Sequence, residues 1–427
     1  MLVAGAAVVD VTPKKRLDLS GFVDRRNPMK GVLDGVSVRV LALEMEGERA
    51  AVVTVDALYV PQPLADRAAA AVAVECGLRQ DAVLVAATHT HSAPALAAFR
   101  GSGEVSPAYV KRVERACEEA ARQAFGAVMP AEVRVASAPC TVAVNRRMPT
   151  PDGVVMAPFM EGPVDESLFY VRVDAIDGAP IAHLVEYGCQ PLVLGAANRY
   201  VSADYPGALR RMLERERGGT ALFLMGCGAD VMPVPSLVEE PEAVEDFAER
   251  LFESVREAED DLKTVEVDGI SVKRRTAALP LAEAGEEDIA RKIAAVREAE
   301  KSGRASAAFV EAMEEWAEDV RMLKRLGAEP ETVPLVLSSL RLGELLFVGI
   351  GADVFAEHAL GVRHFASDGQ VVPVTFVGGC MGPLPTEKAF HAGGYEVEYE
   401  PLFYNPLPLL PDAVEEFEHA VHSFLTA

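Results

Sequence analysis

Aromatic side chains are scarce. They make up 6% of the 427 residues, with a single tryptophan. The chain is still half hydrophobic, so its core must be built mostly from Val, Leu and Ala. Basic residues are also in short supply. Lys and Arg number 41 against 65 Asp and Glu, for a net charge of −24. Such a surface repels phosphate backbones and anionic lipid heads, and no basic run interrupts it, so nucleic acid is not an expected partner. No segment approaches about 18 uninterrupted apolar residues, so no membrane span is expected. The opening MLVAGAAVVDVTPKK lacks a basic stretch ahead of its apolar residues. No secretory leader is read there, and a cytoplasmic location is expected. The six cysteines form no C-x-x-C pair, which points to reduced buried thiols rather than a thiol metal site.

What is present reads as alternating strand and helix. "VSVRVLALEMEGERAAVVTVDA" alternates, turns at Glu46-Gly47-Glu48 and alternates again, which predicts a hairpin. Residues 62–76 suit a helix and 83–87 a buried strand. Ser106 and Pro107 mark the start of a second helix, and Gly126 its end. Strands are expected at 169–175, 181–187 and 220–225, with a helix near 205–217 between the last two. Ile289, Ile293 and Val296, then Phe309, Met313, Trp316, Val320 and Leu323, repeat at helical spacing. They predict a helical hairpin over 283–326, packed on the main body. Strands at 335–350 and 371–377 and a helix near 411–425 complete the reading. Length alone allows about two or three domains, but no linker, repeat or low-complexity tract divides the chain. The expected architecture is α/β: mixed sheet layers flanked by helices, one catalytic-type domain over 1–427, and the hairpin inserted within it.

Several strand ends carry chemistry, which is where α/β sheets place their sites. "VLVAATHTHSAP" ends a strand with His89 and His91. Strand alternation would put both imidazoles on one face, with Thr88 and Thr90 turned away. Such a pair can share a metal, or one ring can bind it while the other donates to a substrate oxygen. A hydrogen-bonded strand end is the plainer alternative. Asp56 ends another strand, "GCQPLVLG" and "GCGADVMP" follow two more, and "GADVF" a fourth. "GCGAD" lacks the Lys-Ser/Thr sequel of a phosphate loop, so no nucleotide cofactor is expected. Cys227 within it reads as a small buried residue of a tight turn rather than a nucleophile.

Together these segments resemble the neutral/alkaline non-lysosomal ceramidase family, in its short microbial form. The resemblance rests on "AGAAVVDVTP", "GVLDGVSVRVLAL", "VVTVDAL", "THTHSAP", "VNRRM", "VSADYPG", "GCGADVMP" and "LPTEKAFHAGGYE". It implies a zinc-dependent amidase acting on a small or lipid-like substrate. By that resemblance His89 is a zinc ligand, His91 supports the oxyanion and Arg146 faces the substrate. Zinc would polarise the carbonyl, and donors would hold the developing charge. The chain departs from the family pattern at four places. Gln190 stands at a zinc histidine and Pro383 at a ligand tyrosine. Met232 stands at the nucleophilic serine, and Asp353 at a ligand glutamate.

Two accounts follow. In one, a hydrolase keeps the fold with a rebuilt site: His91, Arg146 and Asp230 in catalysis, His89 and Asp353 on any metal. Asp56 and Asp204 are then available, and His391 stands as a replacement ligand. In the other, catalysis is lost and the old pocket binds a small molecule or partner.

Overall fold

Ser37–Met45 and Glu48–Val55 pair antiparallel and turn through Glu46 and Gly47, with φ of 53° and 89°. Both central residues of such a two-residue turn need positive φ, which Gly47 adopts without strain. Helix Gln62–Cys76 leads back to strand Val83–Ala87, which joins Glu48–Val55 in parallel. Two further long parallel pairs are Pro180–Tyr187 with Thr220–Met225, and Leu345–Ile350 with Gln370–Thr375.

The computed structural model describes residues 1–98, 100, 103–365 and 370–426. Apart from Ala143–Thr150 and Gly153–Phe159, which form a separate three-stranded sheet with Val231–Pro233, it arranges the long strands in two sheets. The larger has nine strands, with Thr220–Met225 at one end of its main path and Val83–Ala87 at the other. The smaller has four, in the order Ile270–Pro280, Thr332–Leu342, Leu345–Ile350 and Gln370–Thr375.

Alternation decides the layers. Val38, Val40, Val53 and Val85 face one side of the large sheet, against Leu64, Val113, Leu209 and Phe247 from four helices. Leu41, Leu43, Val52 and Leu84 face the other side and meet Leu340, Leu342, Phe347 and Val374 of the small sheet. The outer face of the small sheet, with Leu335, Leu337 and Val348, packs beneath a second helical layer that includes Met313 and Trp316. The order is helix, sheet, sheet, helix. This is the α/β architecture of mixed sheets flanked by helices that the sequence pattern implied.

The hairpin consists of helices Glu286–Lys301 and Ala307–Leu326, between the adjacent strands Ile270–Pro280 and Thr332–Leu342. Ser306 caps the second helix, its hydroxyl accepting from Phe309 N at 3.0 Å. Ile289, Val296, Met313, Trp316 and Val320 are buried, and Trp316 Nε1 donates to Pro406 O at 2.6 Å.

The sequence pattern does not mark strands Met129–Pro139, Ala143–Thr150, Gly153–Phe159 or Ile270–Pro280. The strands expected over 335–350 are Thr332–Leu342 and Leu345–Ile350, folded at Gly343. Gly343 has φ +56°, and a Cβ there would strike the Glu266 carbonyl, so the chain must turn on a glycine. Helix Glu242–Glu259, with Phe247, Leu251 and Val255 buried, lies outside the elements that were read.

The two sheets meet edge to edge where the histidines begin. Ala87 N donates to Phe376 O at 3.3 Å, and Gly378 N to Val85 O at 2.8 Å. Thr375 Oγ1 donates to Met225 O at 3.1 Å, Gly226 N to Tyr187 O at 3.0 Å, and Ile350 pairs with Thr375, so the ends of Pro180–Tyr187, Thr220–Met225 and Leu345–Ile350 meet at the end of Gln370–Thr375, next to the Ala87–Phe376 contact.

Candidate active site

The strand carrying the histidines stops at Ala87. Past it, His89 adopts φ +66°, a left-handed conformation that few non-glycine residues hold. The two imidazoles do come together, but through this corner rather than through pleat alternation. His89 Nδ1 donates to Leu58 O at 2.6 Å and His91 Nδ1 to Gly21 O at 3.1 Å. With both Nδ1 atoms committed to carbonyls, both Nε2 lone pairs turn inward and stand 3.3 Å apart. Phe376 stacks on His89 with ring centroids 4.0 Å apart, closing one side. Burial lowers both imidazole pKa values, that of His89 to about 3, so both rings are held neutral.

Asp353 lies opposite, its Oδ2 at 3.9 Å from His89 Nε2. Gln190 Nε2 donates to that same oxygen at 2.8 Å, while Oδ1 is buried without a hydrogen-bond partner. Burial pushes this carboxyl well above the usual range, toward its protonated form.

Arg146 completes the cluster. Its Nη1 donates to Gln190 Oε1 at 2.7 Å, its Nε to Glu396 Oε1 at 2.9 Å and its Nη2 to Glu400 Oε2 at 3.1 Å. Burial alone would lower the guanidinium pKa, but Glu396, Glu400 and Asp353 together raise it. Arg147 Nη1 donates to Glu396 Oε2 at 2.6 Å. Neighbouring residues of a regular strand point to opposite faces, yet these two arginines share a partner. A register shift between Asn145 and Arg147 supplies the bulge that allows it. Glu400 is pushed up to about 7 by burial, against the pull of Arg146.

The structure thus brings His89, His91, Arg146, Asp353 and Gln190 into one cluster, with exposures of 1%, 3%, 0% and 1% for His89, Arg146, Asp353 and Gln190. Pro383 pairs with Asp353 on the neighbouring short strand, and Met232 pairs with Val144, two residues before Arg146. Asp230 sits at its edge. Its backbone carbonyl accepts from Arg146 N at 2.8 Å, and its carboxylate from Asn145 Nδ2 and Ala356 N, each at 2.9 Å. Asp230 also lines a cavity of about 180 Å³ with Asn145, Arg147 and Phe355.

Other expected residues are placed elsewhere. Asp56 is held by Arg210, whose Nη1 and Nη2 each donate to it at 2.8 Å, and is committed to that pair. Asp204 opens helix Asp204–Arg217 and accepts from Leu194 N and Tyr205 N at 3.1 and 2.7 Å. His391 is exposed on the short helix Glu387–Ala392 rather than in this buried cluster. Cys227 is buried, and its turn is glycine-rich for packing: a Cβ on Gly228 would meet the Gly188 carbonyl.

Glu396 and Glu400 were not singled out in the sequence, although "GGYE" ends on the first. Their four-residue spacing is the available signal, since it suits two carboxylates meeting one cation.

Asp204 offers a pH test. Burial raises its carboxyl to about 6, against hydrogen bonds that lower it. The folded state therefore holds a proton that the unfolded chain releases near pH 4. The associated stability is full below that pH and is lost as pH rises through 6. Asn tolerates the left-handed φ of +54° found there. Asp204→Asn should therefore gain about 3 kcal/mol relative to the parent between pH 4 and pH 7, and nothing further above. Denaturant midpoints across that range check it.

The zinc set implied by the family resemblance can be tested against these donors. The converging Nε2 atoms suit a two-nitrogen chelate. The remainder does not complete one, because Asp353 Oδ2 is tied to Gln190 and a guanidinium stands behind it. Among the described residues, no three His, Cys, Asp or Glu side chains are grouped to hold a metal ion. The residues present do not fit the implied zinc site.

No family model matches the sequence, and no curated protein matches it either. Solved structures do. Neutral ceramidase from Pseudomonas aeruginosa superposes with a TM-score of 0.76 at 15% identity, over 100% of this chain and 74% of that one. A ceramidase complexed with C2 gives 0.77 at 15% identity, over 100% of this chain and 75% of that one. The chain has the neutral ceramidase fold. Among its described residues, no helix is long and apolar enough to cross a membrane.

Proposed function

We propose that the protein is a hydrolase of ceramidase fold, acting on an amide or related bond of a small or lipid-like substrate through a rebuilt site. The convergence of His89, His91, Arg146 and Asp353, from distant parts of the chain, carries this reading. Two neutral imidazoles present free lone pairs that can take a proton from water. The buried carboxyl of Asp353 can give one to a leaving nitrogen. His91 has its one N–H committed to Gly21 O and offers the site a lone pair, so in this reading it serves with His89 as a proton acceptor rather than as an oxyanion donor. Arg146 contributes less directly than its motif suggests, because Glu396, Glu400 and Gln190 each take one of its nitrogens.

That saturation favours a second reading, in which the cluster is structural and the protein binds a ligand without turnover. A panel of short-chain N-acyl amides and esters separates the two. We expect slow hydrolysis by the parent and a loss of about 10³-fold or more in a His89→Ala/His91→Ala variant of unchanged fold. Turnover unaffected by that double change would remove the assignment. No turnover by the parent would leave the binding reading.

A further inference from the structure

We infer that Gln190 is a positioning residue that keeps this cluster metal-free, by tying Asp353 away from the imidazoles and coupling it to Arg146. The two histidines alone would invite a cation, since their Nε2 atoms converge at 3.3 Å. A third donor is needed for a stable site, and Asp353 is the nearest carboxylate, at 3.9 Å from His89 Nε2. The Gln190 amide intervenes. Its Nε2 donates to Asp353 Oδ2 at 2.8 Å and to Ala229 O at 3.3 Å, so the nitrogen is anchored twice. Its Oε1 accepts from Arg146 Nη1 at 2.7 Å, which fixes which end of the amide faces Asp353. A permanent guanidinium charge is therefore held one amide away from the carboxylate. A divalent ion would have to displace the amide and then tolerate that charge in a buried site, where screening is weak.

Charge balance points the same way. Arg146 and Arg147 offset Glu396 and Glu400, which leaves Asp353 facing the imidazoles and Asp230 at the edge, the latter held by Asn145 and Ala356 N. This inference stands whether the cluster hydrolyses a substrate or only binds one.

Gln190→Glu tests it with a nearly isosteric change. The new carboxylate keeps the Arg146 contact, can no longer donate to Asp353, and adds an oxygen donor beside His89 and His91. Zinc content is measured by mass spectrometry after equilibration in a micromolar zinc buffer, with circular dichroism to confirm the fold. The parent should hold less than about 0.1 equivalent and the variant about one, lost again when His89→Ala is added. Gln190→His, which supplies a nitrogen donor instead, should gain zinc in the same way and serves if the first variant fails to fold. A parent that holds half an equivalent or more overturns the inference. So do folded variants that bind no more zinc than the parent.

Discussion

Arg146→Met should lower folding stability by about 3–5 kcal/mol, visible as a large fall in denaturation midpoint. The guanidinium is buried and gives a separate nitrogen to each of three side chains. Methionine fills much of its volume but carries no charge. Glu396 keeps only Arg147, Glu400 loses its ion pair, and Gln190 loses the donor that orients it. The cost is that of buried charge left uncompensated, not merely of bonds lost. Neutralising the stranded partner should therefore return part of it. Arg146→Met/Glu400→Gln should be more stable than Arg146→Met alone, as a double-mutant cycle in urea would show. Equal or additive losses would mean that Arg146 packs there without balancing charge.

The second large effect is expected at Arg210. Its two terminal nitrogens grip both oxygens of Asp56 at 2.8 Å. Arg210 pulls the Asp56 carboxyl below its usual pKa, overcoming the burial that would raise it. Ser37 N at 2.8 Å and Thr88 Oγ1 at 3.1 Å also donate to Asp56. Thr88 immediately precedes His89, so this ion pair supports the corner on which the imidazoles stand. Arg210→Met should cost about 3–5 kcal/mol, and adding Asp56→Asn should recover a substantial part. Hydrogen exchange at residues 88–91 should accelerate in the single variant more than in the far sheet. Uniform acceleration would place Asp56 outside the support of the corner.

The fold was legible where local chemistry marks its own boundaries. Ser106 and Pro107 announced a helix that does begin at Pro107. The hairpin turn at Glu46 and Gly47, and strand Val83–Ala87, follow from alternation and a glycine. At the site, the histidine pair was visible and the reason for its convergence was not. A left-handed backbone at a histidine has no sequence signature. Glu396 and Glu400 stayed hidden for a different reason. Carboxylates in a chain of net charge −24 look like surface, and their partner lies some 250 positions away. Only the packed chain reveals that Asp56 belongs to Arg210 and that Gln190 bridges Arg146 to Asp353.

The left-handed turn at His89 makes the two-histidine segment a poor candidate for transplantation. Its ring directions are dictated by Leu58 and Gly21 from separate stretches, and by Phe376 from the other sheet. A synthetic peptide spelling Thr-His-Thr-His would have none of these guides and would spend most of its time elsewhere on the Ramachandran map. What could be moved to another scaffold is the seam between the sheets, with the histidines as its passengers.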